Sequence, residues 1–248
     1  MDAYTFGILA TWLLTTLGIA TLTVVLAKRL GRWLLYSVFA MLILVSNLMA
    51  GKLISIGPAV VPSVVAIYAV SFLITDATCE LYGREEAKRV VFGGFIANIL
   101  ALPLIYLVVL WPSVPFQAEF SEQFTMIFSF APRVIIASMA AYLVSQTHDI
   151  YIYSWYKRRT KGRHMWFRNN ASTMVSQLAD STIFIILAFY GIFPTPIVLE
   201  MVMFQWIIKL GIAVADTPFL YLIVHTARWV SPKSVEMPKY ATTKTEPV

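Results

Sequence analysis

Cysteine, histidine and charge are all scarce in this chain, and each scarcity closes off a class of protein. Cysteine occurs once, at Cys79, so no internal disulfide forms and no zinc or iron–sulfur cluster is held by cysteine alone. Histidine occurs three times, at His148, His164 and His225, with no two at metal-ligand spacing. Only 13% of the 248 residues are charged while 59% are hydrophobic, against about 25% and about 45–50% in a soluble domain. The G-x-x-x-x-G-K-[ST] loop that cradles nucleotide phosphates and the G-x-S-x-G nucleophile elbow are missing too. Glu85, Glu86 and Arg89 briefly resemble an intramembrane protease motif, but the arginine is one residue short and no helical histidine partners it. No metal, no cofactor and no enzymatic activity are expected.

Hydrocarbon replaces the charge. The mean hydropathy is +0.74, and runs near the roughly 20 apolar residues that cross a bilayer recur along the chain. Spans are expected at about 4–27, 33–50, 57–82, 90–111, 133–152, 171–193 and 197–229. Pro58 and Pro62 open the third, and the last is long enough to tilt or kink at Pro218. The first lacks a basic leader and is too long for the apolar core of a cleavable signal. Residues 112–132 carry Glu119, Glu122 and the series Phe116, Phe120, Phe124 and Phe128 at helical spacing. They read as an interfacial helix in the headgroups. A lid over a cavity is one alternative, and a hydrophobic loop packed on the bundle is the plainer and weightier one. The polar stretch from Ser231 reads as a disordered tail. The fold class expected is all-α, a polytopic transmembrane helix bundle of seven spans.

A pI near 9.4 and a net charge of +6 would suggest a nucleic-acid partner in a soluble chain. Here the basic residues sit in loops, so topology accounts for them and no nucleic acid is expected. Sixteen of the nineteen Lys and Arg fall in four places: Lys28, Arg29 and Arg32; Arg84, Lys88 and Arg89; the run 157–168; and the segment from Arg228 onward. With seven spans all four lie on one side. The other side carries Asp2, Glu119, Glu122 and Glu200 with Lys52. The positive-inside rule then places the N-terminus outside and the C-terminus in the cytoplasm.

Seven ionisable residues are left in or beside hydrocarbon: Asp76, Glu80, Arg133, Asp149, Asp180, Lys209 and Asp216. Each costs about 2.5–3.5 kcal/mol at a helix centre unless it faces a cavity or a partner. Asp180 and Lys209 fall near mid-membrane; Asp76, Glu80, Asp149 and Asp216 fall in the cytoplasmic half. The stretch 71–83 stands out, because Asp76 and Glu80 share one side of a helix that Gly83 is placed to end in a left-handed cap. Helical spacing adds Ser172, Thr173, Ser176 and Gln177 to the face of Asp180, and Gln205 to that of Lys209 and Asp216. Ser138, Ser145 and Gln146 join Asp149; Asn47 ends the second span and Asn98 lies in the fourth. A bundle that turns these inward encloses a polar cavity. The plainer alternatives are a buried network, with Lys209 and Asp180 as one such pair, that only holds helices together, an interfacial snorkelling role for Arg133, and a packing role for His148.

In order along the chain, Thr75-Asp76-x-x-x-Glu80-x-x-Gly83, Arg89 and Asn98 resemble the signature of the queuosine precursor transporter family, once labelled a vitamin uptake family. So do Arg133 with Ser138, Ser145-Gln146-x-x-Asp149, Arg168-x-x-x-Ser172-Thr173-x-x-x-Gln177-x-x-Asp180-Ser181-Thr182, Lys209, and Asp216-x-Pro218. The likeness covers about residues 35–224. It implies a six-helix core at 33–230 behind an extra N-terminal helix with its basic loop at 1–32, and a cytoplasmic tail at 231–248. It also implies uptake of 7-deazaguanine bases, such as 7-cyano-7-deazaguanine, across a prokaryotic inner membrane without ATP hydrolysis by this chain.

A guanine-like face offers an N1–H and an exocyclic amine to one carboxylate, and its carbonyl oxygen takes a donor from Lys209, Gln177 or Asn47. The substrate-binding candidates are therefore Asp180, Lys209, Gln177, Asp76, Glu80, Asn47, Asp216, Arg133 and Asp149, with Asp76 and Glu80 as recognition or gating residues. The alternative is the substrate-binding subunit of an energy-coupling-factor transporter that needs separate ATPase partners. The extra first helix is a candidate dimer contact, partner site or topology device, and a homo-oligomer is left open.

Overall fold

The computed structural model describes residues 3–57 and 59–230. Among them the order is α1 (Ala3–Leu30), α2 (Trp33–Met49), β1 (Leu53–Ile56), β2 (Ala59–Pro62), α3 (Val65–Tyr82), α4 (Arg84–Leu110), α5 (Ala118–Arg159), α6 (Met165–Phe189) and α7 (Thr195–Val230). Six of the helices are long and apolar enough to cross a membrane, and α2, at 17 residues, is a shorter apolar one. The bundle is oily outside and polar inside. Phe92, Leu100, Leu104 and Leu107 of α4 are exposed, whereas Ser71, Asp76, Gln146, Asp149 and Lys209 are buried. That inversion suits a hydrocarbon solvent.

α3 is the axis of the molecule. It touches every other helix, and 15 of its 18 residues are buried. It ends where the glycine pattern placed its end, but in a different geometry: Gly83 has φ +89° and ψ 170°, a region open essentially to glycine alone. One residue thus turns α3 into α4 without a left-handed cap.

Several boundaries differ from the hydropathy reading; α4, for one, takes in the basic turn and begins at Arg84. The third helix begins at Val65, not near residue 57, because residues 53–62 pair as an antiparallel hairpin from Leu53↔Pro62 to Ile56↔Ala59. Ile54, Val60 and Val61 suit a strand, and the Ser63 amide closes the hairpin on the Lys52 carbonyl at 2.7 Å. Pro58 lies outside the described residues. The aromatic stretch before the fifth span is neither a packed loop nor a separate helix. It is continuous with α5, a helix of 42 residues that extends about 63 Å, twice the hydrocarbon thickness. The Phe124 and Phe128 rings lie tilted against each other along it with centroids 4.4 Å apart, and Pro132 sits inside it without ending it. α6 begins at Met165, which draws Arg168 out of the expected basic loop and into the bundle. The tail expected to be disordered, 231–248, lies outside the described residues.

Candidate functional site

Helix register brings the polar residues together in three layers. α6 runs antiparallel to α5 and α7, so one turn of each meets at Asp180. Ser145 Oγ of α5 donates to Asp180 Oδ1 at 3.0 Å, and Lys209 Nζ of α7 donates to Asp180 Oδ2. The two side chains of this ion pair are each 2% exposed, and the Tyr68 ring of α3 lies 5.2 Å from Lys209 Nζ. Around the pair is a cavity of about 20 Å³ lined by Asn47, Tyr68, Ser138, Phe184 and Gln205 among others. It lies toward the hairpin, since Pro62 also borders it. That volume holds about one water. Asn47 Nδ2 donates to Asn98 Oδ1 at 2.7 Å, and Asn98 Nδ2 donates to the Gly94 carbonyl at 2.8 Å, so α4 fixes the Asn47 side chain. Gln177 is buried one turn before Asp180, with neither amide atom hydrogen-bonded.

The second layer is acidic. α3 and α5 run parallel: Gln146 bridges Thr75 and Ser71 at 3.2 and 3.1 Å, and Cys79 meets Ser154 at 3.2 Å. Asp76 and Asp149 fall at one level between those contacts and face each other. Both are buried, and no donor reaches either carboxylate in hydrogen-bond geometry. Asp216 of α7 is buried nearby but accepts from Asn169 Nδ2 at 3.3 Å.

The third layer closes the end opposite the hairpin. Glu80 Oε2 receives Arg168 Nη2 at 2.5 Å and Lys157 Nζ at 3.2 Å, so α3, α5 and α6 meet on one carboxylate. Arg168 also donates to the Gly162 and Arg163 carbonyls at 2.9 and 3.2 Å, and its guanidinium lies 5.3 Å from the Tyr153 ring.

The candidates thus separate. Asp180, Lys209 and Asn47 share the cavity; Asp76, Asp149 and Asp216 lie in the layer beyond it; Glu80 is engaged in the end cluster. Arg133 stands apart at the hairpin end, where its side chain is exposed and donates to the Leu187 and Tyr190 carbonyls at 3.0 and 2.6 Å. It satisfies orphan carbonyls at the α6 C-terminus. Tyr68 was not singled out from sequence, and Arg168, though quoted in the family signature, was counted with the basic loop. Tyr68 carried no signal, being one aromatic in an apolar run. Arg168 carried a misleading one, since it follows a basic loop, although its four-residue spacing from Ser172 puts it on the polar face of α6.

A bundle of apolar helices with charged pairs and a polar cavity inside is a multi-pass membrane protein. The family model described as "Putative vitamin uptake transporter" matches residues 62–223, and the chain belongs to that family. It is 36% identical over 156 residues to a "Probable queuosine precursor transporter" of Bacillus subtilis (strain 168), a match covering 62% of this chain and 67% of that one. It is 32% identical over 120 residues to a protein of the same description from Haemophilus influenzae, covering 48% of each. It is 26% identical over 122 residues to the "Queuosine precursor transporter" of Escherichia coli (strain K12), covering 48% of this chain and 51% of that one. The chain thus spans two thirds of the first relative and about half of the other two. No solved structure matches it at a significant level.

Proposed function

We propose that this chain imports 7-deazaguanine bases, precursors of queuosine, across the prokaryotic inner membrane, and does so without an ATPase partner. The observation that carries this reading is the buried Asp180–Lys209 pair facing a cavity bordered by Asn47, Gln205, Tyr68 and Phe184. Asp180 accepts from the N1–H and exocyclic amine of a guanine-like edge, and Lys209 or Asn47 donates to its carbonyl oxygen. Tyr68 and Phe184 offer faces for the flat ring system. Substrate and ion pair compete for the same polar atoms, so binding exchanges one set of buried hydrogen bonds for another.

A cavity of about 20 Å³ is too small for a bicyclic base. Binding therefore requires the helices around it to part, and release requires the Glu80–Arg168 end to open, which is the motion alternating access calls for. The basic segments support a cytoplasmic position for that end and an outer one for the hairpin.

The test is complementation of a bacterium that can neither make nor import queuosine precursors. Expression of this chain alone with a low external supply of 7-cyano-7-deazaguanine should restore queuosine in transfer RNA. Asp180→Asn and Lys209→Ala, confirmed as inserted, should not restore it. No restoration by a well-folded native chain would sink the self-sufficient reading and favour a subunit that needs energising partners.

A further inference from the structure

Asp76 and Asp149 are two carboxyl groups facing each other, and among the described residues no basic side chain forms an ion pair with either. The register of α3 and α5, pinned by Gln146 on Ser71 and Thr75 and by Cys79 on Ser154, fixes that meeting. The side chains of both residues are buried, and no donor among the described residues reaches either carboxylate in hydrogen-bond geometry. Two negative charges this close, out of water, repel strongly and have lost their hydration. One proton held between them removes the repulsion and makes the missing hydrogen bond.

The surroundings leave this pair free for that task. Ser172, Thr173 and Ser176 of α6 border Asp149. Ser172 and Ser176 turn to main-chain carbonyls at 3.3 and 2.8 Å. The Thr173 hydroxyl, in a residue 2% exposed, has no hydrogen-bond partner. Every other charged group near the layer has its own engagement. Glu80 is held by Arg168 and Lys157, and Asp216 of α7 by Asn169. Lys28 of α1 lies over the Tyr82 ring, and Glu86 of α4 pairs with Arg32 and Arg89. Cys79 and Tyr153 are the other titratable groups facing the pair, and His148 turns to Ser176 at 2.9 Å.

We infer that Asp76 and Asp149 together bind one proton that travels inward with each substrate molecule, so that uptake is coupled to the proton gradient. The inference rests on the transport reading above. The proton adds to a carboxylate when the site faces outside and leaves it when the site faces the cytoplasm; no bond in the base changes. One positive charge moves inward with each neutral base. Ser145, one turn before Asp149 on α5, donates to Asp180, so one hydroxyl stands between the substrate cavity and the pair.

The test uses the purified native chain in lipid vesicles with labelled 7-cyano-7-deazaguanine. Exchange of external labelled base for internal unlabelled base, with no ion gradient, reads transport alone. Its absence would overturn the transport reading and this inference with it. Given exchange, an inward gradient of one pH unit at clamped potential should accumulate the base about tenfold, and a protonophore should abolish the accumulation. In the same native vesicles, an internal pH dye should report acidification when base is added outside. Exchange without accumulation or acidification, or accumulation that follows sodium instead, would overturn the proton site and leave transport standing. The double variant Asp76→Asn, Asp149→Asn should lose gradient-driven accumulation, while Asp149→Glu, which keeps a carboxyl, should retain part of it. Accumulation that persists in the double variant would overturn the assignment to this pair.

Discussion

Arg168 of α6, 1% exposed at its side chain, donates to Glu80 of α3 at 2.5 Å and ties together the end of the bundle opposite the hairpin. Removing one partner of an isolated buried pair costs about 3–5 kcal/mol; here Lys157 still reaches Glu80 at 3.2 Å, so the loss of Arg168 should cost less than that. The chain carries its own reporter one residue away, because its single cysteine, Cys79, is 2% exposed and bonded to Ser154. Arg168→Ala should speed labelling of Cys79 by a small maleimide by about tenfold or more, a factor that needs only 1.4 kcal/mol of lost closure. The check is labelling rate in membranes, with thermal unfolding measured beside it. An unchanged rate in a correctly inserted variant would mean that the cluster is not what keeps this end shut.

The Asp180–Lys209 pair is expected to be both structural and functional, and a double-mutant cycle separates the two roles. Asp180→Asn and Lys209→Met should each destabilise the detergent-purified protein by about 3–5 kcal/mol, since each leaves a buried charge alone. The double variant should recover much of that loss and still fail to transport. Uptake by the stable double variant would reduce the pair to a helix–helix tie.

Legibility in the sequence followed the physics of each signal. Apolar length gave the spans, and helical spacing put Ser172, Ser176 and Asp180 on one face; the structure buries all of these. The Asp180–Lys209 contact was also legible, because two opposite charges at mid-membrane have few other ways to be satisfied. The hairpin at 53–62 was not, since a short apolar stretch reads alike as helix or strand when periodicity is the only guide. The burial of Arg168 was hidden by its basic neighbours, because the positive-inside rule counts charge along the chain and does not see which side of a helix a residue occupies. Arg133 was legible as an odd charge, but its use was not: its partners are main-chain carbonyls some 54 and 57 residues away, and backbone acceptors leave no mark in a sequence.

Arg133→Ala is expected to act on stability. The side chain donates two hydrogen bonds to the C-terminal end of α6 from an exposed position, so its loss should cost about 1 kcal/mol. Thermal unfolding should shift down, and the KM for uptake should stay within about threefold of native, less than 1 kcal/mol. A much larger rise in KM without loss of stability would return Arg133 to the list of substrate contacts.

Gly94 links the apolar core to the cavity. A Cβ built there meets Phe39 Cδ1 and Cε1 and the Tyr142 hydroxyl at 3.0 Å, and both side chains are fully buried. Its carbonyl accepts the Asn98 bond that in turn fixes Asn47 in the cavity wall. Gly94→Ala should therefore cost about 1–3 kcal/mol through overpacking, and by displacing α4 it should also raise the KM for uptake. Phe39→Leu trims the ring that the new methyl strikes, so Gly94→Ala with Phe39→Leu should be more stable than the sum of the single effects predicts. If α4 returns to place, KM should recover in the same protein. Recovery of stability with KM still raised would show that Gly94 serves the cavity by some route other than the position of α4.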